Sequence, residues 1–306
     1  VPVSLAKKLS TALNETRLLI LGAQVLFGFE FHGIFQDGFP DLPRTGRYLD
    51  CVSLLCMATA IGLLIAPSAQ HRIVERGEET RRIHRVTTLF GGLALLPFGL
   101  GLSIDLGIGM ERIAGSHAGL LSGAGFCVLA GVLWYALGFV VKLRRGDPIM
   151  QDEEKPAPLS TKIDQMLTEA RVVLPGAQAL LGFQLTVTLS HAFQQLPSDT
   201  KSIHALALCC VALTVVLLMT PAALHRIGFG GEESKSFLSM GSAFVMAAPL
   251  PLAAGIAADM FVAVERAAES SSLGIAAGVV AICILLFLWY LQPLVIRGRM
   301  QQGKAA

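Results

Sequence analysis

Charge is what this sequence has least of: 15% of its 306 residues are Asp, Glu, Lys or Arg, against 53% hydrophobic residues and a mean hydropathy of +0.63. An ordinary soluble domain is about 25% charged, so that composition excludes one. The net charge is only +2, which leaves no basic excess for a nucleic-acid surface. Disulfide and metal spacing are missing too. Cys51, Cys56, Cys127, Cys209, Cys210 and Cys283 all fall in apolar stretches without a C-x-x-C pair, and read as small packing residues. No G-x-x-x-x-G-K-[ST] phosphate loop and no H-E-x-x-H zinc motif occurs, so ATP-driven pumping and zinc hydrolysis have no support. The pair Glu78 and Glu79 fails the E-E-x-x-x-R pattern of intramembrane proteases, because Ile83 stands where arginine is required. His71 and His84 flank one loop rather than facing each other across helices, which argues against haem ligation. The expectation is therefore a protein that is not an enzyme, with no catalytic residue, no cofactor and no metal.

What is present is a duplication. Residues 13–112 and 167–266 align without a gap at a constant offset of 154, and the matches include polar residues inside apolar stretches. Each copy holds four apolar stretches near the ~20 residues that cross a bilayer as a helix. The spans expected lie at about 17–36, 48–67, 86–107, 118–141, 171–191, 203–221, 237–259 and 272–295. The expected fold is thus all-α and polytopic, with eight transmembrane helices. An even number of spans per copy makes these parallel four-helix repeats, related by a pseudo-twofold axis along the membrane normal. Residues 1–141 form the first repeat and 163–306 the second. Between them, 142–162 form a polar linker holding Asp147, Pro148, Asp152, Glu153, Glu154, Pro156 and Pro158. Lys7 and Lys8 resemble the start of a signal peptide, but the segment behind them recurs in the second copy and no A-x-A site follows, so both copies are expected in the mature protein. Lys and Arg concentrate at the two ends and after helices 2, 4 and 6, which places both termini in the cytoplasm of a bacterial inner membrane.

The repeated polar motifs supply candidate sites. P-x-A-x-H-R-I closes helices 2 and 6 as Pro67, Ala69, His71, Arg72, Ile73 and as Pro221, Ala223, His225, Arg226, Ile227. Glu15 with Arg17, and Glu169 with Arg171, open helices 1 and 5 on the same side. These eight, Glu15, Arg17, His71, Arg72, Glu169, Arg171, His225 and Arg226, form a candidate cytoplasmic polar ring. It either locks the bundle and meets lipid phosphate or makes a mouth that selects ions through histidine. The order E-x-R, G-A-Q-x-L-x-G-F, P-x-A-x-H-R-I, carried by Glu15 to Phe29 and Pro67 to Ile73, resembles a bacterial four-span membrane family known only as a domain of unknown function. Both halves match it. The resemblance implies membrane location and fold, and brings no activity or substrate with it.

Other repeated features have structural readings. Gly119 with Gly123, Gly274 with Gly278, and Gly22, Gly28 and Gly33 read as helix-packing residues. Trp134 with Tyr135 and Trp289 with Tyr290 read as an interfacial aromatic belt. Asp105 and Asp259 are expected to pair with Arg112 and Arg266 and anchor the outer loops.

The copies also differ: Glu30 aligns with Gln184, Asp37 with His191, and Asp50 with His204. A pseudo-axis that brings these helices together would set acids of one repeat against histidines of the other. Intramembrane acids mark ion or proton pathways by default. Gln24, Glu30, Asp37, Gln178, Gln184 and His191 are therefore the candidate pathway, with Glu30 alternatively a packing residue held by Gln184. Two functions stay open: a passive or ion-coupled channel or transporter for a small ion or proton, and a non-catalytic membrane scaffold or accessory subunit. The partners these imply are the lipid bilayer, a small ion or proton, and a second copy or another membrane protein; no nucleic acid is among them.

Overall fold

Apolar segments punctuated by proline and serine become helices in the computed structural model, which describes residues 5–76, 78, 80–136, 139, 158–225, 229 and 233–305, with side chains from Leu19 to Gln302 among them. In chain order these are α1 (Leu5–Gly33), α2 (Arg44–Ile73), α3 (Arg81–Ala114), α4 (Ser116–Ala136), α5 (Leu159–Val187), the single turn α6 (His191–Gln194), α7 (Ser198–Ala223), α8 (Lys235–Ala268) and α9 (Ser271–Gln302). The described residues contain no strand. Equivalent positions start equivalent helices: Thr80 accepts from the Ile83 N–H at 3.2 Å and Ser234 from the Phe237 N–H at 3.1 Å. Pro158 precedes α5, which begins within the stretch that composition assigns to the linker.

Six helices, α2, α3, α4, α7, α8 and α9, are long and apolar enough to cross a bilayer. That is the mark of a membrane-embedded protein. The sequence suggests eight spans, but α5 falls short because Lys162, Asp164, Glu169 and Arg171 occupy its first half, and the side chains of α1 before Leu19 lie outside the described residues. Among the described residues α1 offers a shorter apolar stretch, Leu19–Gly33.

Within each half the helices pack on their sequence neighbours, and the halves meet through α1 on α5. Gly28 admits the Phe183 ring at this contact, and Phe29 and Phe183, which are equivalent residues, sit 4.5 Å apart between centroids. Gly22 and Gly33, expected as packing glycines, have no neighbour where a Cβ would project. Gly119 and Gly123 do bring α4 onto the backbone of α3, and Gly274 and Gly278 bring α9 onto α8.

The halves are not packed alike. Helices α8 and α9 lie on α2, whereas α3 and α4 make no comparable packing on α7. Two glycines account for this. A Cβ on Gly62 of α2 would stand 2.9 Å from Leu285 Cδ2, and the Gly62 carbonyl accepts the Trp289 indole N–H at 2.9 Å. The aligned residue in α7 is Val216, which carries a branched side chain where α2 has none. Conversely Trp134 lies over Gly99 of its own α3, where the second half has Ala253. The tryptophans therefore form no interfacial belt: Trp289 is fully buried and Trp134 half-buried. Their tyrosine neighbours donate inward, Tyr135 to the Gly92 carbonyl at 2.6 Å and Tyr290 to the Met246 carbonyl at 2.5 Å. Each Trp-Tyr pair sits in a single π-helical turn, Val132–Ala136 or Phe287–Leu291.

Candidate functional site

Helices α1, α2 and α3 each place one acid at the same level of the first half. Glu30 is 8% exposed, Asp50 and Asp105 are half-buried, and both aspartates lie within electrostatic reach of the Glu30 carboxyl. Ser53, fully buried one turn after Asp50, completes the group beside Glu30 and Asp105. Gly101 permits this convergence, because Ser53 Oγ stands 3.2 Å from where its Cβ would be, and Asp105 follows one turn later. Neither Glu30 oxygen has a hydrogen-bond partner among the described residues, and none of the ion pairs involves these three acids. Among the described residues no group of His, Cys, Asp and Glu closes to metal-holding geometry, this one included.

The second half builds the same three positions from different chemistry. Gln184 of α5 donates through Nε2 to Asp259 Oδ2 of α8 at 2.7 Å, and His204 of α7 lies 3.1 Å through Nε2 from the Gln184 carbonyl. His204 Nδ1 stands 3.8 Å from Asp259 Oδ1. All three residues are buried. One half thus carries three acids with no basic partner among the described residues, and the other an amide, an imidazole and an acid joined by two hydrogen bonds, with Gln184 Oε1, His204 Nδ1 and Asp259 Oδ1 still without partners among the described residues. At these positions the acids of the first half do not meet the histidines of the second; across that boundary His204 stacks on Phe31 at 5.8 Å. The outer-loop pairing of the aspartates is also replaced: Arg112 donates to the Gly38 carbonyl at 2.6 Å, and Asp105 and Asp259 turn into the clusters.

The candidate pathway is not a single row. Glu30 and Gln184 enter separate clusters. Gln24 is fully buried in the α1–α5 contact, where a Cβ on Gly176 would overlap its amide, and both its amide atoms lack partners. Its counterpart Gln178 is exposed, as are Asp37 after α1 and His191 at the start of α6. Helical phase is the reason. Gln24 and Glu30 are six residues apart, so they face different neighbours.

Of the polar ring, three members converge. Glu169 of α5 accepts from His71 Nδ1 at 2.7 Å and from Arg72 Nε, both at the end of α2, and its side chain is 2% exposed. Arg72 also donates to Ser242 of α8 at 3.1 Å, so the clasp ties the first half to two helices of the second. A small cavity of ≈ 30 Å³ lies against it, lined by Ser68, Arg72, Glu169, Trp289 and Tyr290 among others. Arg171 is exposed and outside the clasp. His225 lies half-buried against Phe237 at 4.8 Å between ring centroids. Arg226 and the side chains of Glu15 and Arg17 lie outside the described residues. Beside the clasp, Arg82 donates to Glu75 at 2.6 Å and to Gln70 at 2.9 Å, and Lys162 pairs with Glu78 across the halves.

Asp50, Ser53, Asp105, His204 and Asp259 belong to these clusters and were not among the pathway residues. One signal in the sequence does point to them: positions 30, 50 and 105 align with 184, 204 and 259, polar in both copies and set in apolar surroundings.

A family model described as a family of unknown function, DUF6328, matches residues 4–138 and again 152–293. No curated protein and no solved structure matches the chain.

Proposed function

We propose, since the chain belongs to the DUF6328 family and that family brings no activity with it, that this membrane protein carries a small cation, the proton above all, through the Glu30, Asp50 and Asp105 cluster. The observation that supports this is three carboxyl groups on three helices with no basic partner among the described residues. Removing several carboxylates from water without a cation costs several kcal/mol each, so such a cluster is stable only with protons or another cation in it. The proton is favoured over a metal ion by the spacing of the acids. Any movement would be passive or ion-coupled. The second half, whose equivalent cluster holds a single acid tied by hydrogen bonding to Gln184, serves as the fixed partner. This reading takes α1 and α5 as additional spans, giving eight in two parallel repeats about a pseudo-twofold axis, with both termini cytoplasmic in a bacterial inner membrane. No catalytic role is assigned.

Proton flux into proteoliposomes holding the full chain, under an imposed pH gradient and voltage, tests the reading. Glu30→Gln is expected to bring flux down to that of empty vesicles while its thermal unfolding midpoint stays equal or rises. A folded Glu30→Gln protein with unchanged flux removes the cluster from any pathway.

A second reading, a non-catalytic scaffold or accessory subunit, is favoured by the clasp, whose ionised groups are spent on one another inside the bundle. Wild-type flux indistinguishable from empty vesicles selects it.

A further inference from the structure

On the face opposite the clasp, the start of α2 and the end of α8 enclose a polar cavity of ≈ 210 Å³, lined by Arg44, Arg47, Tyr48, Ala267, Ala268 and Glu269. It joins one half to the other. Arg47 donates to Glu269 Oε1 at 2.8 Å, and Arg44 and Arg266 lie within electrostatic reach of the same carboxylate. Three arginines thus surround one acid, and two positive charges are left over. Arg47 Nε and Arg266 Nε are buried without a hydrogen-bond partner among the described residues. No side chain caps α2, whose first turn forms one wall of the cavity, so its free N–H groups add to the positive field.

The backbone singles out the same place. Glu269, which ends α8, has φ 53°, in the left-handed region, where Gly115 at φ 88° ends α3 in the first half. A side chain in that conformation is strained relative to glycine, and it is kept where the surroundings require it. The Arg47 hydrogen bond holds the Glu269 carboxyl below its usual range, so the acid remains an anion that orients the guanidinium. The cluster is not repeated as a whole: Arg266 has an equivalent in Arg112, but Arg44, Arg47 and Tyr48 align with Ser198, Lys201 and Ser202. Tyr48, half-exposed at 48%, sets the cavity at the level where aromatic rings meet headgroups.

We propose that this cavity binds a phosphate group, the arginines supplying paired N–H donors and Glu269 holding one of them in place. Phosphate at this site has two sources, an anionic phospholipid headgroup and the free ion. The full chain, purified in neutral detergent, is titrated with short-chain phosphatidylglycerol, with phosphatidylcholine and with inorganic phosphate, and the thermal unfolding midpoint is followed. A saturable rise with phosphatidylglycerol, absent with phosphatidylcholine, is expected. In Arg44→Gln/Arg47→Gln its midpoint concentration rises about tenfold. Arg44→Gln alone shows part of that loss, and covers the case in which the double variant fails to fold, because Arg44 is exposed. Glu269→Gln, whose amide oxygen still accepts from Arg47 and keeps it in place while the competing negative charge is gone, tightens binding, an effect a merely structural ion pair does not produce. Inorganic phosphate giving the whole rise overturns the lipid source. Equal titrations for wild type and the Arg44→Gln variant overturn the site.

Discussion

Glu169→Ala is expected to lower the stability of the folded chain by about 3 kcal/mol or more. Two effects add. The substitution strips the guanidinium of Arg72, 5% exposed, of its only anion among the described residues, and leaves His71 Nδ1 without its acceptor. A buried charge that has lost its partner costs far more than the intact pair contributes, so the cost lies in what remains. The double variant Arg72→Met/Glu169→Leu separates the two quantities: with neither charge present it recovers most of the loss. Unfolding by denaturing detergent in mixed micelles measures all three proteins. A single variant within 1 kcal/mol of wild type shows that Arg72 reaches water or lipid phosphate instead, and that the clasp does not hold the halves together.

Gly62→Val, which copies into α2 the residue that α7 has at the aligned position, is expected to cost about 2–3 kcal/mol and to expose Trp289. The new Cβ stands 2.9 Å from Leu285 Cδ2 and 3.2 Å from Leu288 Cδ1, and its methyl groups enter space that α9 occupies. Helix α9 must withdraw, and the indole N–H of Trp289 then loses the Gly62 carbonyl. Trp289 and Trp134 are the only two tryptophans, so in a Trp134→Phe background the emission reports this site alone. A shift of the emission maximum, together with the lost stability, is the expected pair of results. An unchanged maximum places the cause of the asymmetry elsewhere than in this glycine.

Much of this architecture is legible in the residues. The period of 154 and the apolar runs predict helices in two sets of four, and a helix of bilayer length requires no more than a run of apolar side chains whose backbone groups bond to one another. The motif P-x-A-x-H-R-I draws attention to His71 and Arg72, and E-x-R to Glu169. That these three meet, while Arg171 and His225 stay apart, is a matter of helical phase and crossing position across about 100 residues of chain. Helix α5 is less apolar than its neighbours, and its first half carries Glu169, the acid of the clasp.

The acid triad shows the same division. The sequence by itself determined that positions 30, 50 and 105 are polar and that 184, 204 and 259 answer them with an amide, a histidine and an acid. It also determined the membrane class, since composition and run length alone decide whether segments can leave water. Only the tertiary structure decided which of these groups share a cluster. Each set of three closes within its own half, because Gly101 lets α3 approach Ser53 and because Glu30 and Gln24 point to different neighbours. Two identical repeats would pack identically. Here Gly62 against Val216 and Gly99 against Ala253 tip the close contacts, so one tryptophan crosses to the other half and its counterpart stays at home. Differences of a methyl group or two are invisible in hydropathy, yet they govern which helix surfaces can touch when packing between helices, rather than exclusion from water, is the force that assembles them.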